Sequence, residues 1–223
     1  SKKHNMSEKR IVLFDLDGTL IDTAPDMHQA LGVLLEEEQM PNVDYEDVRS
    51  QVSNGVLGIF SIAFTGNQKI DDSRYERYLE IYETVLGKNS RLFENVIKLL
   101  DKLDSRQIHY GVVTNKSSRF TVPLLKQFDL LERMKTLVCG DEVKNRKPDP
   151  EPLIKAIEKI PCTYENKNIY YVGDAMKDIS AAKAADVRSI ACSYGYRDAN
   201  DSPSSWESDY IIDDLLKVDE IVK

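Results

Sequence analysis

Ile11-Val12-Leu13-Phe14-Asp15-Leu16-Asp17-Gly18-Thr19 decides the fold. Four successive apolar residues ending in acid read as a parallel strand covered on both faces, and open parallel sheets bind ligands outside the carboxyl ends of their strands. Residues two apart on extended backbone point the same way, so Asp15 and Asp17 can converge on one substrate atom or one cation. Gly18 frees the chain to turn sharply there. Two close acids diverge in pKa, which lets one stay ionised as nucleophile and metal ligand while the other carries a proton for a leaving oxygen. The plainer alternative is an acidic turn that closes a strand.

Three further apolar runs deliver polar residues at their ends. Residues 108–113 lead into Thr114-Asn115-Lys116, where a hydroxyl and an amide can hydrogen-bond an anion; Ser117 and Ser118 equally suit a helix cap. Lys144-Asn145-Arg146-Lys147-Pro148-Asp149-Pro150-Glu151-Pro152 is a charged arm whose prolines keep it out of helix until Leu153. Lys147, fixed by Pro148, is the lysine chosen to pair with an aspartyl nucleophile and a phosphoryl oxygen. Residues 169–172 run into Gly173-Asp174, with Asp178 four positions on at the head of an alanine-rich helix. A strand-to-helix turn there can aim both acids into one pocket, and carboxylates sharing a hard cation with water and phosphate fit Mg²⁺. Asp178 also suits the helix dipole.

In their order, these four segments resemble the motifs of the haloacid dehalogenase superfamily: Asp-x-Asp-Gly-Thr, a Thr or Ser, a Lys, and Gly-Asp-x-x-x-Asp. The resemblance runs from Ile11 to about Asp213 and implies an α/β fold, a Rossmann-like doubly wound parallel-sheet core with an inserted all-helical cap domain. It implies a phosphatase in which Asp15 becomes an aspartyl phosphate and Asp17 acts as general acid, then base. Thr114 and Lys147 would position the phosphoryl group, with Gly18, Thr19 and Asn115 beside the substrate. Asp15, the backbone carbonyl of Asp17, and Asp174 would hold Mg²⁺, supported by Asp178. Carboxylate attack on a phosphate dianion meets like-charge repulsion, which a cation and a lysine offset.

Narrower details point within the superfamily. Dehalogenases and phosphonate hydrolases generally lack the acid at Asp17, so its presence favours phosphoryl transfer; phosphomutases keep it. Asp22-Thr23-Ala24-Pro25-Asp26 is similar to the phosphoglycolate phosphatase group. The run 111–116 with Arg119-Phe120, Val143-Lys144-Asn145, and Tyr194-Gly195-Tyr196 followed by Pro203 and Trp206 resemble bacterial N-acetylmuramic acid 6-phosphate phosphatases. The expected reaction is hydrolysis of a small phosphorylated metabolite, 2-phosphoglycolate or N-acetylmuramic acid 6-phosphate. A sugar phosphatase, a phosphomutase, or an idle member that binds a phosphorylated ligand are the alternatives.

Over ninety residues separate the first strand from the next one near Ile108. Helical periodicity at 24–38, 45–64 and 73–86 fills that interval, with Pro25 near the first helix start. The expected organisation is a flexible 1–10, a core of 11–20 and 91–223, and a helical cap of 21–90, hinged near 20–23 and 87–91. Core helices are expected at 94–104, 119–128, 152–159 and 178–185, alternating with strands at 136–139, 169–172, 189–192 and 210–212, as a parallel sheet requires. Within the cap, Ser53-Asn54-Gly55 can present small polar groups and backbone N–H to substrate, or can be a plain turn. Tyr75, Tyr78 and Tyr82 at helical spacing are read as cap core.

Composition sets limits. The 223 residues are 41% hydrophobic with a formal net charge of −8, which supports a real core and disfavours nucleic acid or an anionic membrane as partner. The basic stretch 2–10 is short and polar, unlike a signal peptide, and reads as a frayed terminus or partly a cloning remnant. No run approaches the ~20 apolar residues of a membrane span, so the expected setting is the cytoplasm. No obligate protein partner is evident. Cys139, Cys162 and Cys192 lack metal-ligand spacing and are read as buried reduced thiols.

Overall fold

A computed structural model of the chain describes residues 9–65 and 71–223. The expectation of a flexible 1–10 falls mostly on residues 1–8, outside the described residues. Eight strands and nine α-helices follow one another among those described. β1 (Ile11–Phe14), β4 (His109–Val113), β5 (Thr136–Val138), β6 (Ile169–Gly173), β7 (Arg188–Cys192) and β8 (Tyr210–Ile212) form one sheet in the order β5-β4-β1-β6-β7-β8. All its pairings are parallel.

β1 lies between β4 and β6, with Ile11 opposite both His109 and Ile169. The chain leaves β1 towards one side for β4 and β5 and returns to the other for β6 to β8. This reversal opens a crevice at the carboxyl ends of the central strands, where α/β sheets bind ligands.

Alternation along β1 builds both faces. Val12 and Phe14 pack with Leu99, Leu103 and Leu124 in one cluster, while Ile11 and Leu13 pack with Leu153, Ala156 and Ala181 in another. The helices supplying these contacts are α5 (Val96–Ser105), α6 (Ser118–Gln127), α7 (Glu151–Glu158) and α8 (Met176–Ala184); α9 (Lys217–Ile221) closes the chain. α7 starts two residues before the expected Leu153, because Pro152 falls in its first turn, where its missing N–H costs no hydrogen bond.

Between β1 and α5, α1 (Ala24–Glu37), α2 (Tyr45–Arg49), α3 (Gly55–Ala63) and α4 (Asp72–Val85) gather around their own apolar cluster, which includes Leu31, Phe60, Tyr78 and Tyr82. The periodicity at 45–64 is not one helix. It breaks at a 3-10 turn, Val52–Asn54, where Gly55 takes φ +71°, a conformation that costs other residues more. The segments expected as hinges pair with each other: β2 (Ile21–Asp22) runs antiparallel to β3 (Arg91–Leu92). Two-residue strands carry little hydrophobic pattern, which hid this ribbon from sequence. Tyr78 and Tyr82 are buried as expected, and so are Cys139 and Cys192, whereas Cys162 is half-buried. Among the described residues no helix is long and apolar enough to cross a membrane.

Candidate active site

The carboxyl ends of β1, β4 and β6 bring the polar residues together. Asp15 extends β1 by one ladder bond, its N–H donating to the Val172 carbonyl at 2.9 Å. Thr114 does the same for β4, donating to the Val138 carbonyl at 3.0 Å. Asp174 follows the last residue of β6, and Asp178 enters in the first turn of α8. Oxygens of Asp15, Asp174 and Asp178 all lie within 4.8 Å of one another, and all three residues are buried.

Tight turns make this convergence possible. Gly18 adopts φ +81°, and a Cβ there would meet Asp174 Oδ2 at 2.2 Å. Gly173 likewise has Asp178 against it, with a Cβ reaching Asp178 at 2.4 Å. Side chains at either position would push the acids apart.

Lys147 supplies the opposing charge. Its Nζ lies 3.1 Å from Asp15 Oδ1 and 2.7 Å from Asp178 Oδ1, and it donates to the Tyr171 hydroxyl at 2.5 Å and the Val113 carbonyl at 3.2 Å. Burial works against its charge, but Asp15 and Asp178 outweigh burial and raise its pKa. The loop that carries it is clamped by Asn115, whose amide donates to the Lys147 carbonyl and accepts from the Lys147 N–H, each at 3.0 Å. Asn115, expected beside substrate, lines the cavity and also positions the lysine.

One buried ammonium faces three buried carboxylates. Burial, then the charge of Asp178, pushes Asp15 well above the usual carboxylate range, with Lys147 pulling the other way. Asp174 is pushed up to about 6 by burial and Asp178, against hydrogen bonds from Ser53 and the Tyr196 N–H. Such an excess of buried negative charge is costly unless a cation joins it, and an all-oxygen set of this kind fits a hard divalent ion.

Asp17 stands apart from the three acids. Its Oδ1 accepts from the Thr23 hydroxyl at 2.5 Å and pairs with Lys116 Nζ at 2.8 Å. The metal role expected of Asp17 rests on its backbone carbonyl, which leaves the carboxylate for this second neighbourhood. Thr19, expected beside substrate, donates instead to Asp174 Oδ1 at 3.2 Å. The Thr114 hydroxyl accepts from the Lys116 N–H at 3.1 Å and lines the same cavity as Asp15 and Asp17.

That cavity measures about 400 Å³. Its floor is the carboxyl end of the sheet; its roof comes from the helices between β2 and β3, including Val52, Val56, Tyr75 and Leu79. The expected Ser53-Asn54-Gly55 turn lies on it, yet Ser53 Oγ donates to Asp174 Oδ2 at 2.6 Å, and Asn54 turns its amide to Gln51 at 3.0 Å. Lys177 Nζ donates to the Ser53 carbonyl from α8, so both sides of the cavity are tied.

Sequence reasoning missed Lys116, Tyr171 and Lys177. Lys116 stood in a quoted motif without a role. Tyr171 carried a usable signal, because a hydroxyl on a strand buried along its whole length needs a polar partner.

The family model described as "Haloacid dehalogenase-like hydrolase" matches residues 12–192. An N-acetylmuramic acid 6-phosphate phosphatase of Pseudomonas putida is 37% identical over 215 residues, 96% of each chain. A phosphoglycolate phosphatase of Xanthomonas campestris is 36% identical over 205 residues, 92% of each chain. Among solved structures, a predicted phosphoglycolate phosphatase from Haemophilus somnus superposes with a TM-score of 0.85 at 25% identity, covering 98% of this chain and 100% of that one.

Proposed function

The chain belongs to the haloacid dehalogenase-like hydrolase family, and from that premise we propose that it hydrolyses a phosphate monoester through an aspartyl phosphate on Asp15. The observation that carries the reading is Lys147 held between Asp15 and Asp178 at the carboxyl end of β1. Asp15 attacks phosphorus and the ester oxygen departs. Thr114 and Lys147 hold the phosphoryl oxygens, and Lys147 offsets the repulsion between carboxylate and phosphate. Asp17 gives its proton to the departing alkoxide and then takes one from the water that opens the acyl phosphate, help that typically contributes about 10² to 10⁴ in rate. The helices between β2 and β3 serve as a cap, spanning about 21–90, that excludes bulk water from the cavity.

Asp15, Asp174 and Asp178, with the Asp17 carbonyl, are the residues that would hold Mg²⁺. When bound, the ion supplies positive charge against the transferring phosphoryl group.

The substrate reading follows the relatives' names and the cavity. Both named substrates pair a carboxylate with a phosphate. A cavity of about 400 Å³ walled by Met27, Val52, Val56, Leu79 and Phe120 lies in the range of pockets that enclose ligands larger than a two-carbon acid, which favours the N-acetylated sugar acid. We place the reaction in the cytoplasm, a reading supported by buried Cys139 and Cys192 kept as thiols.

The test is phosphate release with Mg²⁺ from p-nitrophenyl phosphate, 2-phosphoglycolate and N-acetylmuramic acid 6-phosphate. Wild type is expected to turn over all three, with the highest kcat/KM for the sugar acid ester, the ratio that reports discrimination in the transition state. Asp15→Asn is expected to lose about 10³-fold or more in kcat, as removal of a nucleophile does, while its Tm holds because a buried charge is removed. Full activity in Asp15→Asn would overturn the mechanism.

A further inference from the structure

Lys116 and Tyr82 have no assigned part in phosphoryl transfer, yet both line the cavity. Lys116 Nζ sits 2.8 Å from Asp17 Oδ1 and 4.8 Å from the centroid of the Tyr82 ring. Its side chain is only 9% exposed. An ammonium carries three donors, and the hydrogen bond to Asp17 uses one of them. Tyr82 is 2% exposed, and its hydroxyl has no hydrogen-bond partner among the described residues. Buried polar groups are almost always paired, so a buried cation with donors to spare on the cavity wall asks for a ligand.

Chemistry fixes which part of the ligand arrives there. A general acid must come within about 2.6–3.2 Å of the oxygen it protonates. Lys116 touches the same Asp17 carboxylate, so the leaving group, rather than the phosphoryl group, passes beside Lys116 and Tyr82. Among the described residues, Lys116 is the cavity cation that hydrogen-bonds Asp17, while the others hold different groups. Lys177 donates to the Ser53 carbonyl, and exposed Arg146 donates to the Gly140 carbonyl at 3.2 Å. The cavity that Lys116 lines also has apolar walls, with Met27, Leu79 and Phe120, and beside such walls a buried charge contact is screened little.

We propose that Lys116 is a specificity-determining residue that binds a carboxylate on the leaving group by its ammonium, which lies over the Tyr82 ring. The inference rests on the phosphatase reading and extends it from the phosphate to the rest of the substrate. The ammonium turns its free donors to the carboxylate while keeping Asp17 in place, so recognition of the leaving group and aim of the general acid share one side chain. A neutral ester leaves the ammonium poorly solvated, and a site built for hydrogen bonds rejects an analogue that lacks them.

The test uses two matched pairs: 2-phosphoglycolate against 2-hydroxyethyl phosphate, and N-acetylmuramic acid 6-phosphate against N-acetylglucosamine 6-phosphate, which lacks the carboxylate. Wild type is expected to prefer the acid in at least one pair by about tenfold or more in kcat/KM. Lys116→Met is expected to bring that ratio within about twofold of unity, and Lys116→Arg to keep most of it. A merely structural role would lower both members of a pair together and leave the ratio where it was. The inference is overturned by a wild type with no preference in either pair, or by Lys116→Met retaining the preference. Phosphate release from p-nitrophenyl phosphate separates the two readings. If wild type releases none from any ester, the phosphatase reading fails and takes this inference with it; if it hydrolyses the aryl ester but shows no preference for the acids, this inference alone fails.

Discussion

Ser53 Oγ donates to Asp174 Oδ2 at 2.6 Å, joining residues 121 positions apart. Ser53 belongs to the turn between α2 and α3, and Asp174 to the end of β6. The roof of the cavity is thus hydrogen-bonded to one of the acids proposed to hold the metal. The bond is seconded by Lys177 on the Ser53 carbonyl and by Arg49, which donates to the Tyr194 carbonyl at 3.4 Å and lies over the Tyr196 ring at 5.0 Å.

Removing that hydroxyl should loosen the roof. Ser53→Ala leaves Asp174 Oδ2 with the Tyr196 N–H alone, at 2.9 Å. Hydrogen bonds to charged groups contribute about 1.5–3 kcal/mol, and a chain of this size loses roughly 2–4 °C of Tm per kcal/mol. Differential scanning calorimetry should therefore show a Tm lower by several degrees. An unchanged Tm would mean the bond adds nothing to closure.

Mg²⁺ should stabilise the protein through the buried acids. A ligand at 100 times its Kd adds about 2.7 kcal/mol to folding stability, so melts in Mg²⁺ should lie several degrees above melts in chelator. Asp174→Asn should erase most of that increment and leave the chelator melt no lower, because Asp174 is held above its usual pKa by burial and by Asp178. A full Mg²⁺ increment in Asp174→Asn would place the ion elsewhere.

Acid should weaken the arm that carries Lys147. The Glu151 carboxylate accepts from the Lys144 N–H at 3.0 Å and the Asn145 N–H at 2.7 Å, and these bonds hold its pKa below 4.5. A carboxyl whose folded pKa is depressed stabilises fully above its unfolded value and loses that contribution as pH falls through the folded one. Glu151→Gln should then be less stable than wild type at pH 7, with the gap in urea midpoint closing as pH drops below about 4.5. A gap that stays constant down to pH 3 would show that the ionised carboxylate is not what pins the arm.

Much of this protein was legible because its elements end abruptly. The apolar runs of β1, β4 and β6 stop at Asp15, Thr114 and Asp174, and period-2 and period-3.6 patterns need no tertiary information. The split between α2 and α3 and the β2–β3 ribbon were not legible. A short helix and two-residue strands carry too little pattern, and neighbouring backbone decides them. The site divides the same way. The acids and Lys147 could be named from motif and spacing, whereas the bonds of Thr19 to Asp174 and of Asn115 to the Lys147 backbone could not.

By itself the sequence determined the parallel α/β core, the helical insertion and the family, since those depend on local hydrophobic period and on motifs carried in order. Only the tertiary structure decided that Lys147 bridges Asp15 and Asp178, that Ser53 closes on Asp174, and that Lys116 stands between Asp17 and Tyr82. Those contacts span 31 to 132 positions by sheet order and helix packing. A hydrogen bond forms or fails over a few tenths of an ångström, a scale that strand and helix periodicity does not encode.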